Sequence, residues 1–236
     1  MKKLFYLPFL FILGPCSTTE ILQAVNDAME DTAPALSESD VIAGLKEALV
    51  KGTSSGTQSA SKLDGYFKNP RLKIPFPPKI QKVESKLRAL GMNKLVDNFI
   101  VSLNRGAEKA ATEAKPIFVD AVTSMTVKDA WGILRGADNA ATDYLRRTTS
   151  TSLQAAFKPV IKTSLDAVDA TKHFTKIITT YNKIPLIEKV NPNLEDYVTD
   201  KALIGLFLLI EDEERKIRTD PVARTTELLK KVFSQQ

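Results

Sequence analysis

The sequence predicts an all-α protein, a single multi-helix bundle of about eight helices crossed by one proline-rich extended strap. Three observations carry that prediction. Apolar residues recur at helical spacing along most of the chain, and nowhere do they alternate over a sustained stretch. Glycine is sparse, at 10 of 236 residues, while leucine, alanine and lysine are frequent. Ser37-Glu38-Ser39-Asp40, Thr126-Val127-Lys128-Asp129 and Asn193-Leu194-Glu195-Asp196 each read as a helix start, a capping side chain followed by acids in the first turn.

Residues 1–16 have the layout of a secretory signal. Met1-Lys2-Lys3 is a positive start, Leu4 to Leu13 is apolar apart from Pro8, and Gly14-Pro15-Cys16 leads into polar Ser17-Thr18-Thr19-Glu20. The apolar run, about ten residues, is too short to span a bilayer. Leu13-Gly14-Pro15-Cys16 resembles a lipobox, which implies lipid attachment at Cys16. Ordinary secretion with cleavage a few residues later is the alternative, and no Ala-x-Ala site supports it. Ser17 follows the cysteine where an Asp is absent, which by resemblance to enterobacterial lipoproteins implies the outer membrane. The expected location is therefore the periplasm, with an anchor in the outer membrane. With Cys16 lipidated the domain has no thiol left, so an ordinary packed core must hold it.

Residues 17–37 read as a tether and residues 38–236 as a single all-helical domain. The first helix carries Val41, Leu45, Ala48 and Leu49, then a small-residue stripe, Gly52, Gly56 and Ser59, towards Leu63. Small residues invite close approach of a neighbour. Asn69 to Pro78 holds four prolines and reads as the strap, with Leu72, Ile74 and Phe76 turned inward. The next helix spans about Pro78 to Leu90 and stops at Gly91, with Ile80, Val83, Leu87 and Leu90 as its buried face. Asn93 starts another, with Val96, Phe99, Leu103, Ala107 and Ala110 inward. Pro116 to Val122 is a short apolar helix, and a second short one ends near Gly136. Asp138 is placed as the cap of a long helix through Phe157 and Ile161, which Pro159 should kink or divide. Residues 166–182 continue helically, and Pro185 and Pro192 bracket a loop. Ala202 to Ile210 is apolar throughout, as in a helix buried on all sides. Glu211 with Arg215, Asp212 with Lys216 and Glu214 with Arg218 then read as exposed i,i+4 pairs. Asp220-Pro221 opens a last helix with Val222, Leu228, Leu229 and Val232 on one side.

Many short segments resemble one family of exported Gram-negative proteins. They include Asn69-Pro70 with Lys73-Ile74-Pro75, Lys82-Val83-Glu84, Leu103-Asn104-Arg105 and Ala114-Lys115-Pro116-Ile117-Phe118. Met125-Thr126, Ala140-Ala141-Thr142-Asp143-Tyr144, Tyr197-Val198-Thr199-Asp200-Lys201-Ala202 and Ala223-Arg224-Thr225-Thr226 with Leu228-Leu229-Lys230-Lys231 continue the match in order. The family is catalogued only as a domain of unknown function, number four-one-nine-seven. The resemblance covers about residues 40 to 233. It implies an exported helical domain and carries no activity, substrate or catalytic residue.

Composition narrows the function. Hydrophobic residues make up 43% and charged residues 26%, as in globular proteins. The net charge is +5, and removal of Lys2 and Lys3 with the signal leaves about +3. That mild charge does not by itself imply a nucleic-acid partner, and an exported location argues further against one, so none is expected. With one histidine, His173, and one cysteine, the chain lacks Glu-x-x-His pairs, H-E-x-x-H and a P-loop. No catalytic residue, metal ligand or cofactor is assigned. His173 reads as a structural histidine, and the acids of 211–214 as a solvated turn.

Two constellations are candidate ligand sites. Lys79, Lys82 and Lys86 fall on a narrow arc beside an apolar face, near Arg71, Lys73, Arg88 and Lys94. Such a stripe suits anionic lipid headgroups or lipopolysaccharide phosphates, although a plain solvated face explains it too. Arg147-Thr148-Thr149 and Arg224-Thr225-Thr226 repeat a tripeptide that suits an oxyanion, and capping or back-bonding hydroxyls explain it equally. The expected function is a cell-envelope lipoprotein, a non-enzymatic helical module. It takes a lipid-like or anionic ligand between helices beside the Gly52–Ser59 stripe, or an envelope-protein partner on the strap. The alternative is a periplasmic hydrolase with distant carboxylates.

Overall fold

Each helix can be traced to a local signal and an apolar stripe. The computed structural model describes residues 37–183, 189 and 193–233. The signal segment with Cys16, most of the tether, the prolines at 185 and 192 and the His173 side chain lie outside the described residues.

The described residues form α-helices and two short 3-10 turns, with no strand among them. Helix α1 spans Glu38–Ser61, α2 Gln81–Ala89, α3 Asn93–Ala111, α4 Ala114–Thr123 and α5 Val127–Leu134. Helix α6 spans Ala140–Asp166, α7 Asp169–Tyr181, α8 Leu194–Thr219 and α9 Glu227–Phe233. The long helices make the bundle: α8 lies against α1 and α6, and α3 against α6. Shorter helices close it, α4 over α1 and α6, α9 over α1, α7 over α3 and α6. The core is Leu45, Leu103, Phe118, Leu145, Leu153, Phe157, Ile161 and Leu206, all buried.

Two of the three predicted starts are true capping boxes. Ser37 Oγ accepts from Asp40 N–H at 3.1 Å, and Thr126 Oγ1 accepts from Asp129 N–H at 3.2 Å. In each, the acid returns a bond to the cap's own N–H. Asn193 precedes α8 without a capping hydrogen bond from its side chain.

The small-residue stripe of α1 is filled by other helices. A Cβ on Gly44 would lie 2.7 Å from Val232, and one on Gly56 3.1 Å from Ile210. A void beside Gly52, lined by Leu45, Leu49 and Ile217, measures about 30 Å³, room for about two waters. It is far too small for a lipid chain, so the stripe brings α1 onto α8 and holds no such ligand.

The strap folds more tightly than its prolines suggest. Asn69 takes the Leu72 and Lys73 N–H groups on its carbonyl and the Arg71 N–H on its side chain, so the first four residues are a turn. Extended backbone follows, and Leu72, Ile74 and Phe76 are buried while Arg71, Lys73 and Pro75 are exposed. Phe76 meets Phe99 at 5.2 Å and Phe174 at 5.7 Å between ring centroids, joining α3 and α7.

Several sequence expectations need correction. Leu90 is 76% exposed and Leu63 is exposed, because both helices end before those residues can turn inward. Helix α6 continues past Pro159 as one element, and the break falls at Ala167-Val168 instead. Helix α8 is not enclosed on all sides, since Ile204 is 56% exposed. Asp220-Pro221 opens only a 3-10 turn, leaving Val222 85% exposed, and α9 starts at Glu227.

Candidate functional site

Helix α2 is built to stand out from the bundle. Pro77-Pro78 leads into a 3-10 turn, Pro78–Ile80, where a missing N–H is tolerated. Gly91, with φ of 78°, ends α2 in a Schellman motif. Its N–H reaches the Arg88 carbonyl at 2.9 Å, and the Met92 N–H reaches Leu87 at 3.0 Å. Arg88 then braces the hairpin, bonding Glu84 and Asp97 at 3.0 Å each, and hydrogen bonding to Glu84 raises its pKa. The neighbours of α2 are α3 and the preceding 3-10 turn, and no residue of α2 is fully buried. Val83 and Leu87 are half-buried, while Lys79, Lys82, Lys86 and Lys94 are exposed. Exposed Leu90 and Met92 cap the tip. The three predicted lysines are thus on one projecting segment, Lys79 from the 3-10 turn and the other two from successive turns of α2.

The two arginine copies separate. Arg224 is structural: its guanidinium donates to the Ile217 carbonyl at 2.9 Å and the Arg218 carbonyl at 2.7 Å, closing the C-terminus of α8. Arg147 is exposed on α6 and lines an open cleft of about 480 Å³ between α4 and α6. Its companions Thr148 and Thr149 bond back to the carbonyls of Tyr144 and Leu145, at 2.9 and 2.6 Å, so their hydroxyl hydrogens are spent on their own helix and Arg147 alone of that tripeptide is left to meet an anion.

The buried carboxylates hold the fold. Glu214 accepts from the Ala141 and Thr142 N–H groups at 3.0 and 2.8 Å and from the Thr142 hydroxyl at 2.7 Å. It therefore caps α6 from a distant helix, where Asp138 was expected, with its charge at the positive helix end. Arg218 pairs with Glu214 at 3.0 Å and also bonds the Ile133 carbonyl. The predicted exposed turn is corrected in this detail: Glu214–Arg218 is buried, and Asp212 and Glu213 pair at i,i+3 with Arg215 and Lys216. Asp212 also takes Arg71 of the strap at 2.6 Å. Glu108, likewise buried, accepts from the Tyr66 and Phe67 N–H groups at 3.1 Å each and pairs with Arg105. Arg105 extends to Asp64, whose pKa is lowered by hydrogen bonds from Lys68 and Arg105.

Asn104, Glu108 and Glu214 have buried roles that sequence reasoning missed. Their signal was faint, a polar residue on the apolar stripe of its helix. Among the described residues, no group of three His, Cys, Asp or Glu could hold a metal, and no helix is long and apolar enough to cross a membrane.

A family model described as "Protein of unknown function (DUF4197)" matches residues 35–234. No curated protein and no solved structure matches the chain. The all-helical fold and the extent of that match agree with the resemblance read from the sequence, and the chain belongs to the DUF4197 family.

Proposed function

We propose that the chain is a cell-envelope lipoprotein, anchored through Cys16 on the periplasmic side of the outer membrane, and that it acts as a non-enzymatic interaction module. Its helical domain docks on an anionic membrane surface through the 3-10 turn and α2. The observation that carries this reading is a helix with no fully buried residue that ends in exposed Leu90 and Met92 beside four exposed lysines. Basic amphipathic helices with an apolar edge lie in the headgroup layer, and each lysine near an anionic surface contributes about 1 kcal/mol. The strap is less suited to a partner, because both backbone polar groups of Ile74 are already bonded to Asn104.

The test is co-sedimentation of the chain from Ser17 onward, which lacks the cysteine, with vesicles of phosphatidylglycerol or of phosphatidylcholine. Binding is expected for the anionic vesicles only, weakening with salt. Lys82→Glu with Lys86→Glu is expected to abolish it at an unchanged melting temperature. Equal binding of that variant, or of neutral vesicles, contradicts the reading.

A further inference from the structure

We propose that the cleft between α4 and α6 binds a small zwitterion, Arg147 taking its carboxylate and Asp120 its ammonium group. The cleft's volume of about 480 Å³ is that of a small-molecule site. Asp120 stands on the α4 wall, and Arg147 and Ser152 stand on the α6 wall. The floor is fixed: the buried Tyr144 donates its hydroxyl to the Ala121 carbonyl at 3.1 Å, tying α6 to α4. Asp129, which the Thr126 capping box holds in place, also lines the cleft.

Charge decides the ligand class. One turn along the same helix, Arg146 is paired with Asp143 at 2.8 Å. Arg147 and Asp120 are both exposed, and among the described residues neither makes a contact ion pair, although the Arg147 charge also acts on Asp129 in the same cleft. The Arg147 guanidinium instead sits 5.7 Å from the centre of the Tyr144 ring, over the cleft. A positive and a negative group thus face one cleft without closing on each other. A simple anion would meet Arg147 together with two carboxylates, Asp120 and Asp129. A simple cation would meet the carboxylates together with Arg147. A molecule carrying both charges meets an opposite charge on each wall. With Thr148 and Thr149 bonded back to their own helix, Ser124 and Ser152 are the other hydroxyls lining the cleft. This site is separate from α2 and independent of membrane docking.

The probe is the dipeptide alanylalanine, titrated into the full chain in nonionic detergent and followed by NMR, beside its N-acetyl and C-terminal amide forms. Saturable binding is expected within about 5 mM, at least about tenfold weaker for each blocked form. Arg147→Gln is expected to remove the preference over the amide, and Asp120→Asn the preference over the N-acetyl form. Both residues are exposed on helices, so both variants should keep the parent melting temperature. Lys82→Glu with Lys86→Glu should leave the titration unchanged. Absence of saturation in that range, equal binding of the blocked forms, or indifference to both cleft substitutions overturns the proposal.

Discussion

The side chain of Asn104 pairs with Ile74 as a second peptide would. Its oxygen accepts from the Ile74 N–H at 2.8 Å, its nitrogen donates to the Ile74 carbonyl at 2.9 Å, and a further bond reaches the Ile100 carbonyl at 2.8 Å. Asn104 is fully buried, so α3 supplies the strap with the hydrogen bonds that a β-ladder would otherwise give. Asn104→Ala leaves the N–H and carbonyl of Ile74 buried and unpaired. It should cost about 2–4 kcal/mol and speed amide exchange at Ile74. Chemical denaturation and hydrogen exchange check this, and a loss under about 1 kcal/mol would show that the strap is held by its apolar side chains alone.

Glu214 and Arg218 are the buried counterpart of the surface pairs around them. Removing the carboxylate in Glu214→Ala uncaps α6 and strands a buried guanidinium, for an expected loss of about 3–5 kcal/mol. Glu213→Ala, whose Lys216 partner is exposed, should change stability by less than about 1 kcal/mol. Similar effects at the two positions would contradict the assignment.

Two helical glycines should respond in opposite directions to alanine. A Cβ on Gly205 would lie 2.8 Å from Tyr66 Cε1 and 3.1 Å from Leu72 Cγ, with Tyr66 pinned by its 2.6 Å bond to the Ala202 carbonyl. Gly205→Ala should destabilise by about 1–3 kcal/mol. Gly132 in α5 has nothing within 4 Å of that position, so Gly132→Ala should stabilise by up to about 1 kcal/mol. Melting temperatures of the two variants settle the sign.

Stability should fall at both ends of the pH scale. Asp40, Asp64 and Asp129 sit below their ordinary 3.8, through hydrogen bonds from Ser37, from Lys68 and Arg105, and from Thr126 respectively. Their contribution is complete above that value and is lost as pH drops through the lowered ones. Burial pushes Tyr197 up to about 12 and raises Tyr66 as well, from an ordinary 10.0. That stabilisation is complete below 10.0 and is lost as pH climbs through the raised values. A melting temperature that declines from neutrality towards about pH 5.5 would be inconsistent with these shifts.

What the sequence made legible is what neighbouring residues decide. The Ser37 and Thr126 capping boxes close over three residues, the Gly91 stop over five, and the strap's inward residues follow from alternation. What it hid is set by distant partners. Glu214, Asp212 and Glu213 look alike as acids before a basic turn, and only the arrival of α6 over Glu214 makes one of them a buried cap. Leu90 fits the apolar periodicity of its helix, but the Schellman turn ends α2 just before it. For the candidate sites, the lysine stripe could be read along one segment. The facing of Asp120 and Arg147 could not, because it depends on how α4 packs against α6.

The most direct test of the account is hydrogen exchange, read by mass spectrometry, on the chain bound to phosphatidylglycerol vesicles and free of them. The account predicts slowed exchange in peptides covering residues 79–94, reversed by about 0.5 M salt, with the rest of the bundle unchanged. Slowing on another face, or none at 79–94 while the protein remains on the vesicles, would contradict the assignment of α2 as the membrane-docking helix.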